Sequence, residues 1–289
     1  MDAAISVDGL TKRYGAHTAV DDVSFRVEQG ESFGILGPNG AGKTTTLEMI
    51  EGLRKPDGGE ITLLGQPVWP DPRRIQPRIG VQLQSTSLFD MLTARELLEL
   101  FARFYLRTDA AERAGIALAL VGLESKAGDY ARRLSGGQQQ RLAIALALVH
   151  DPEVVFLDEP TTGLDPQARH NLWDVIRSIN ADQGKTVVLT THYLEEAEEL
   201  CDRVAIMDQA RIVALDTPAG LIAALNADAR VSYTDGSGDH TVYVKDAQAT
   251  VLDVLERGRA DGDTVRNLSV KGADLEDVFM QLTGREYRE

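Results

Sequence analysis

Residues 37–44 read GPNGAGKT, with Lys43 and Thr44 closing a G-x-x-x-x-G-K-[ST] pattern. Gly37, Gly40 and Gly42 free the backbone to curl around Pro38, Asn39 and Ala41 with its N–H groups facing inward. The helix that follows adds partial positive charge at its start. Such a loop cradles a polyphosphate: Lys43 reaches the β and γ phosphates, the Thr44 hydroxyl reaches Mg²⁺, and Thr45 reaches the α phosphate. Phosphoryl transfer also needs a metal carboxylate and a group to handle the attacking water. VVFLDE, residues 154–159, supplies both. Asp158 ends a continuous apolar run and would bind Mg²⁺ through water, and Glu159 follows as base or water-orienting group. A DE pair by itself reads as a loop cap, and only the phosphate loop upstream makes it chemistry. His192 ends a second apolar run, TVVLTTH. From the residues alone it reads equally as a structural or as a catalytic histidine.

A second glycine loop stands at LSGGQQQRLAIALAL, residues 134–148. Ser135, Gly136 and Gly137 precede a helix-periodic run, the makeup of another anion site at a helix start. The plainer reading is a capped N-terminus and nothing more.

These groups can act together only if the fold brings their segments to one place. Residues 1–36 alternate in short apolar bursts, which predicts strands and turns. KTTTLEMIEGL predicts a helix ended by Gly52, and KPDGGEITLLGQPV a turn and hairpin. From Thr93 to Val121 apolar residues recur three and four apart, so a helical subdomain over about residues 86–150 interrupts the α/β pattern. EVVFLD and KTVVLTTH read as buried parallel strands with helices between them, and RVAIMD with RIVALD as a closing hairpin. The composition shifts near Asp216. The expected division is a cassette over 1–219 and a small α+β domain over 220–289. The fold class expected is α/β, a P-loop NTPase with a mostly parallel core sheet, an antiparallel β subdomain and the inserted helices.

The chain has 289 residues, enough for one large domain plus an appendage, with 43% hydrophobic and 26% charged residues. A net charge of −15 disfavours clamping a nucleic-acid backbone and reads most simply as a solubility surface. The single cysteine, Cys201, permits no intrachain disulfide and is expected to be a small buried hydrophobe. The most apolar run, LAIALALV, is far below the ~20 residues of a membrane span, so a cytoplasmic chain is expected.

In their order along residues 5–215, these motifs resemble the ATP-binding subunits of ATP-binding-cassette (ABC) transporters. GPNGAGKT looks like the Walker A loop, Gln84 like the Q-loop glutamine that contacts Mg²⁺ and water, and LSGGQ, with Gln138, like the family signature. VVFLDE looks like Walker B with its catalytic glutamate, Asp165 in GLD like the D-loop aspartate, His192 like the switch histidine, and Tyr14 like the residue on which adenine stacks. The resemblance implies ATP and Mg²⁺ as ligands and a second cassette packed head to tail. It also gives the second glycine loop a purpose: Ser135, Gly136 and Gly137 would close over the γ-phosphate held by the partner's Walker A loop. With Glu159 in place, the resemblance implies a site competent for hydrolysis.

LEEAEELCDRVAIMDQARIVALDTP and DLEDVFMQLTGRE further resemble the ATPase subunits of bacterial drug, antibiotic and lipid exporters, the daunorubicin-resistance type among them. That implies a separately encoded polytopic permease, met through Gln84 and the helical block after it, and a place on the inner face of the membrane. An importer ATPase, or a non-transport ABC ATPase acting on translation or nucleic acid, is the alternative. A single cassette, no heptad array and an acidic balance speak against the latter.

Overall fold

The computed structural model describes residues 3–83, 88–105, 108–225, 228–260 and 264–284, and the structural statements below concern those residues. Gln84 lies outside them. The chain forms two compact units that divide between Leu215 and Asp216, slightly ahead of the 219/220 boundary expected from composition. The helix over Pro218–Ala224, capped by the Thr217 side chain, falls in the second unit.

The first unit runs β1 (Ala3–Tyr14), β2 (His17–Glu28), β3 (Ser32–Leu36), α1 (Lys43–Ile50), β4 (Gly58–Leu63), β5 (Gln66–Pro67) and β6 (Ile79–Gln82). It continues with α2 (Ala94–Tyr105), α3 (Ala110–Leu120), α4 (Gly136–Leu148), β7 (Val154–Asp158) and α5 (Pro166–Ala181). It ends with β8 (Thr186–Thr191), α6 (Leu194–Leu200), β9 (Arg203–Asp208) and β10 (Arg211–Asp216). Among the described residues, the block between β6 and β7 contains α2, α3 and α4, with short 3-10 turns at Glu124–Lys126 and Ala131–Arg133.

Two sheets share the work. A four-stranded sheet has the order β2-β1-β4-β5 with antiparallel pairs, and a six-stranded sheet has the order β10-β9-β3-β8-β7-β6. In the larger sheet, β6, β7, β8, β3 and β9 run parallel in sequence of pairing. Every residue of β3, β7 and β8 is buried. Strands covered on both faces have no polar side to alternate with, which is why their sequences are unbroken apolar runs. β1 and β2 have an exposed face, and their sequences alternate accordingly. One core joins the two sheets: Val20, Phe25, Phe33, Ile35, Leu47, Ile61, Phe156 and Val188 lie in a single buried cluster, and Phe25 stacks on Phe33 at 5.1 Å.

Register fixes what meets at the carboxyl end of the sheet. Leu36 of β3 pairs with Thr191 of β8, and Asp158 of β7 pairs with Thr190 of β8. The phosphate loop leaves β3 at that edge, where open α/β sheets collect ligands.

The second unit comprises α7 (Pro218–Ala224), β11 (Ala229–Asp235), β12 (Gly238–Val244), α8 (Ala247–Ala260), β13 (Arg266–Gly272) and α9 (Leu275–Thr283). Its sheet is antiparallel in the order β12-β11-β13. Asp277, fully buried in the first turn of α9, accepts from Arg230 at 2.5 Å and from the Tyr243 hydroxyl at 3.2 Å. A buried carboxylate needs such partners, so this pair ties α9 to β11 and β12.

Candidate functional site

The phosphate loop is shaped by contacts that only glycine tolerates. A Cβ on Gly37 would lie 2.3 Å from the Met207 carbonyl oxygen. Gly42 has φ +106°, and a Cβ there would lie 2.3 Å from the Ala19 carbonyl oxygen. The loop is therefore pressed against β2 and β9, and α1 starts directly at Lys43 with its first amides facing the loop.

Lys43 is 4% exposed. Its Nζ donates to the carbonyl oxygens of Gly37 at 2.7 Å and Pro38 at 3.3 Å and lies 3.3 Å from Glu159 Oε1. Burial lowers its pKa, against the opposing pull of Glu159 and Asp158. The other Glu159 oxygen, Oε2, accepts from the Thr162 hydroxyl at 3.2 Å, and His192 Nδ1 lies 3.2 Å away, close but without hydrogen-bond alignment. Burial pushes the Glu159 carboxyl up, yet Lys43 and His192 together outweigh it and hold it below the ordinary carboxylate range. Glu159 is thus an ionised group between two cationic or proton-bearing neighbours, as a base or water-orienting group must be.

The backbone of Glu159 is unusual. It has φ +47°, a left-handed value that costs a non-glycine residue about 1 kcal/mol or more. Its N–H is held by the Thr190 carbonyl oxygen at 3.1 Å and the Thr190 hydroxyl at 3.0 Å. The kink turns the side chain out of the β7 line and toward Lys43.

Asp158 Oδ1 accepts from the hydroxyls of Thr190 and, at 3.3 Å, of Thr44. Burial raises its pKa despite those donors. A cation nearby would relieve that penalty. Thr44 and Asp158 present hard oxygen atoms and suit an ion such as Mg²⁺. No cluster of three or more His, Cys, Asp or Glu able to hold a metal occurs among the described residues, so phosphate oxygens and water would complete the coordination.

Tyr14, Asn39, Gly40, Gly42, Lys43, Thr44, Thr45 and Glu159 line one cavity of about 320 Å³, together with His17 and Ala19. Tyr14 is 43% exposed at its edge, with the Arg54 guanidinium 5.5 Å from the ring centre. Gly37, Pro38 and Ala41 support the cavity from behind, Ala41 through its carbonyl oxygen, which accepts from the Ala210 amide at 3.2 Å. His192 and Asp158 join through Glu159 and Thr44.

The signature residues do not line this cavity. Ser135 caps α4 in a reciprocal box: its hydroxyl accepts from the Gln138 amide at 3.4 Å, and its own amide donates to Gln138 Oε1 at 2.9 Å. The helix's first backbone bond runs from Gln139 to Ser135, which leaves the Gly136 and Gly137 amides ahead of it. A Cβ on Gly137 would lie 3.0 Å from Ala168 Cβ, and Ala168 N donates to the Asp165 carboxylate at 2.9 Å. The chain therefore sets its signature loop beside its D-loop and away from its own phosphate loop.

Sequence reasoning missed Thr190, which serves both carboxylate residues, and Thr162. Thr190 was visible in VVLTTH, but its role depends on β7 and β8 being neighbours. Also missed was Glu196, fully buried on α6, which accepts from Trp173 Nε1 at 3.2 Å.

The family model for the ABC transporter matches residues 20–162. Over 309 aligned residues, the chain is 44% identical to the Nod factor export ATP-binding protein I of Paraburkholderia xenovorans (strain LB400), covering all of this chain and 99% of that one. It is similar to the dimeric post-hydrolysis structure of the ATP-binding cassette MJ0796 bound to ADP and Pi, with TM-score 0.67, 31% identity, and 74% and 98% of the two chains covered. It also resembles cbiO1 from Clostridium perfringens, part of the ABC transporter complex cbiONQ, with TM-score 0.72, 28% identity, and 77% and 92% covered. The chain belongs to the ATP-binding cassettes of ABC transporters, whose members are ATPases coupled to transport.

Proposed function

We propose that this chain hydrolyses ATP at a site built from the phosphate loop, Asp158, Glu159 and His192, in a head-to-tail dimer that drives export through a separate membrane protein. The observation that carries the reading is the Lys43–Glu159–His192 arrangement beside Thr44 and Asp158. The loop amides and Lys43 would hold the β and γ phosphates, and Tyr14 would stack on adenine. Thr44 and Asp158 would hold Mg²⁺, with Gln84 as a further contact. The cation would supply charge neutralisation at the phosphate oxygens. Glu159 would take or orient the proton of the attacking water, and His192, beside its carboxylate, would fix its position near the γ-phosphate.

When a nucleotide arrives, Lys43 must exchange its bonds to Gly37, Pro38 and Glu159 for phosphate oxygens. That exchange would free the Glu159 carboxylate for water. Ser135, Gly136, Gly137 and Asp165 would act on the nucleotide of the second cassette. Their position beside α5, outside the chain's own cavity, supports this reading, as does the dimeric state of MJ0796. A γ-phosphate clamped by two chains couples ATP to dimerisation, because ADP lacks the group being clamped.

Export rests on the relatives, which are named for Nod factor export, and on the tail resemblance to drug, antibiotic and lipid exporters. No described helix is long and apolar enough to cross a membrane, so a partner chain would supply the path for the cargo. The test is the Glu159→Gln variant. It should bind ATP, lose turnover and dimerise in ATP on sizing chromatography. Near-normal turnover would refute Glu159 as base, and an ATP-bound monomer would refute the two-chain site.

A further inference from the structure

The turn that carries His192 is packed against the helix that begins at Asp165. Asp165 caps α5, and Arg169 N donates to the Asp165 carbonyl oxygen at 2.9 Å, which places Arg169 at the start of that helix. Its guanidinium carbon lies 4.0 Å from the centre of the Tyr193 ring, inside the ~6 Å range of cation–π attraction. The Tyr193 ring centre is in turn 4.2 Å from that of His192, with the two planes at 40°. His192 Nδ1 lies 3.2 Å from Glu159 Oε2. Side chains therefore run in contact from the start of α5 to the carboxylate proposed as base.

The backbone around Tyr193 is held as well. Tyr193 N donates to the Thr191 hydroxyl at 2.9 Å, which closes a tight turn between β8 and α6. One turn past Arg169, Trp173 Nε1 donates to Glu196 Oε1 at 3.2 Å, so α5 is tied to α6 just beyond Tyr193. Both Trp173 and Glu196 are buried. Burial pushes the Glu196 carboxyl up, and the Arg169 charge is among the groups that draw it back down. Arg169 thus serves the Tyr193 ring and a buried carboxyl together.

His192 needs such a contact. Rotation of an imidazole about its last side-chain bond is broad and roughly two-fold, unlike the staggered bond before it. A neighbouring carboxylate limits where one ring nitrogen lies but leaves the tilt of the ring plane free. A flat ring packed against the imidazole removes that freedom. Tyr193 has the same soft bond, and the Arg169 guanidinium beside its ring holds it. An aliphatic side chain at 193 would fill the volume with no plane to impose.

We infer that Tyr193 is a positioning residue for hydrolysis: held by Arg169, its ring sets the plane of the His192 imidazole against Glu159. The inference rests on the role given to His192 under Proposed function and adds the residues that orient it. Among the described residues that line the nucleotide cavity, neither Tyr193 nor Arg169 appears, so both act through His192 and not on the phosphates.

The experiment measures kcat and KM for ATP hydrolysis by the full chain, with single-turnover rates for the slowest variants. Tyr193→Leu should lower kcat at least about tenfold and change KM less than about twofold, as when an interaction counts only in the transition state. Tyr193→Phe keeps the ring and should restore kcat to within about twofold of the wild type. Arg169→Met should lower kcat by a smaller factor than Tyr193→Leu, and Arg169→Lys should recover part of that loss. The deciding comparison is with His192→Ala. In that background Tyr193→Leu should cost nothing further, because residues that act as a unit do not add. If Tyr193→Leu does not fold, Arg169→Met enters the same cycle with the ring still in place. Normal kcat in Tyr193→Leu, a Tyr193→Phe variant as slow as Tyr193→Leu, a rise in KM alone, or losses that multiply in the double variant would each overturn the inference and leave the role of His192 standing. Normal turnover of His192→Ala would overturn that role, and the inference with it.

Discussion

The two ends of α1 make opposite sites. At its start, Lys43 is buried in a loop of backbone donors and acceptors, and each charged group has a counterpart: Lys43 with Glu159, Glu159 with His192, Asp158 with two hydroxyls. At its end, only about 12 Å away by helix rise, Glu51 lines a largely apolar cavity and has an oxygen with no partner among the described residues. Under the proposed function, the first site would exchange its own internal bonds for those to a phosphate. The second leaves a buried carboxyl oxygen unpaired among the described residues.

The largest effect expected falls at the satisfied end. Glu159→Gln should lower ATP turnover by ~10²–10⁴-fold, the range for a lost general base, in a phosphate-release assay. Retained activity would mean that the Lys43–Glu159–His192 arrangement is structural. Ser135→Arg should bind ATP like the wild type, because Ser135 lies outside the chain's own cavity, yet fail to hydrolyse it. Normal turnover as a homodimer would place the working signature loop elsewhere.

The contrast between the two ends also marks what the sequence could reveal. GPNGAGKT, VVFLDE and LSGGQ announce themselves because phosphate binding demands particular residue types at fixed spacing. The buried strands were legible for a similar reason, since burial on both faces removes alternation. Thr190 was not legible as a functional residue, because its double role depends on β8 lying beside β7, and nothing local encodes strand order. Glu51 was hidden differently. A glutamate after KTTTLEMI looks like an ordinary helix-end charge, and only the packing of β6, α2 and α4 shows that it is buried. The two compact units divide after Leu215, where the composition shifts, and α7 falls in the second of them.

The unsatisfied end should reveal itself through pH. Burial, with the Asp158 and Glu48 carboxylates nearby, pushes the Glu51 carboxyl from 4.5 up to about 8. A raised carboxyl pKa favours the folded state fully below the unfolded value and loses that contribution as pH rises through the folded one. The nucleotide-free wild type should therefore weaken between pH 4.5 and about 8, by an amount on the order of a few kcal/mol. Glu51→Gln has no proton to lose. Its melting temperature should match the wild type near pH 5 and exceed it near pH 8, and equal curves at both would show that Glu51 is partnered.

Thr190→Val gives the smallest effect and the sharpest comparison with Glu51→Gln. It removes a hydroxyl that donates to Asp158 and accepts from the Glu159 amide, while leaving that amide its bond to the Thr190 carbonyl oxygen. Losing one partner of a buried polar group costs about 1–3 kcal/mol. In a unit of this size that is a fall of about 2–4 °C in melting temperature per kcal/mol. One substitution at the satisfied end should thus destabilise, and one at the Glu51 end should stabilise at high pH. If both destabilise near pH 8, the Glu51 end of α1 is as fully partnered as the phosphate end, and the distinction between the two sites fails.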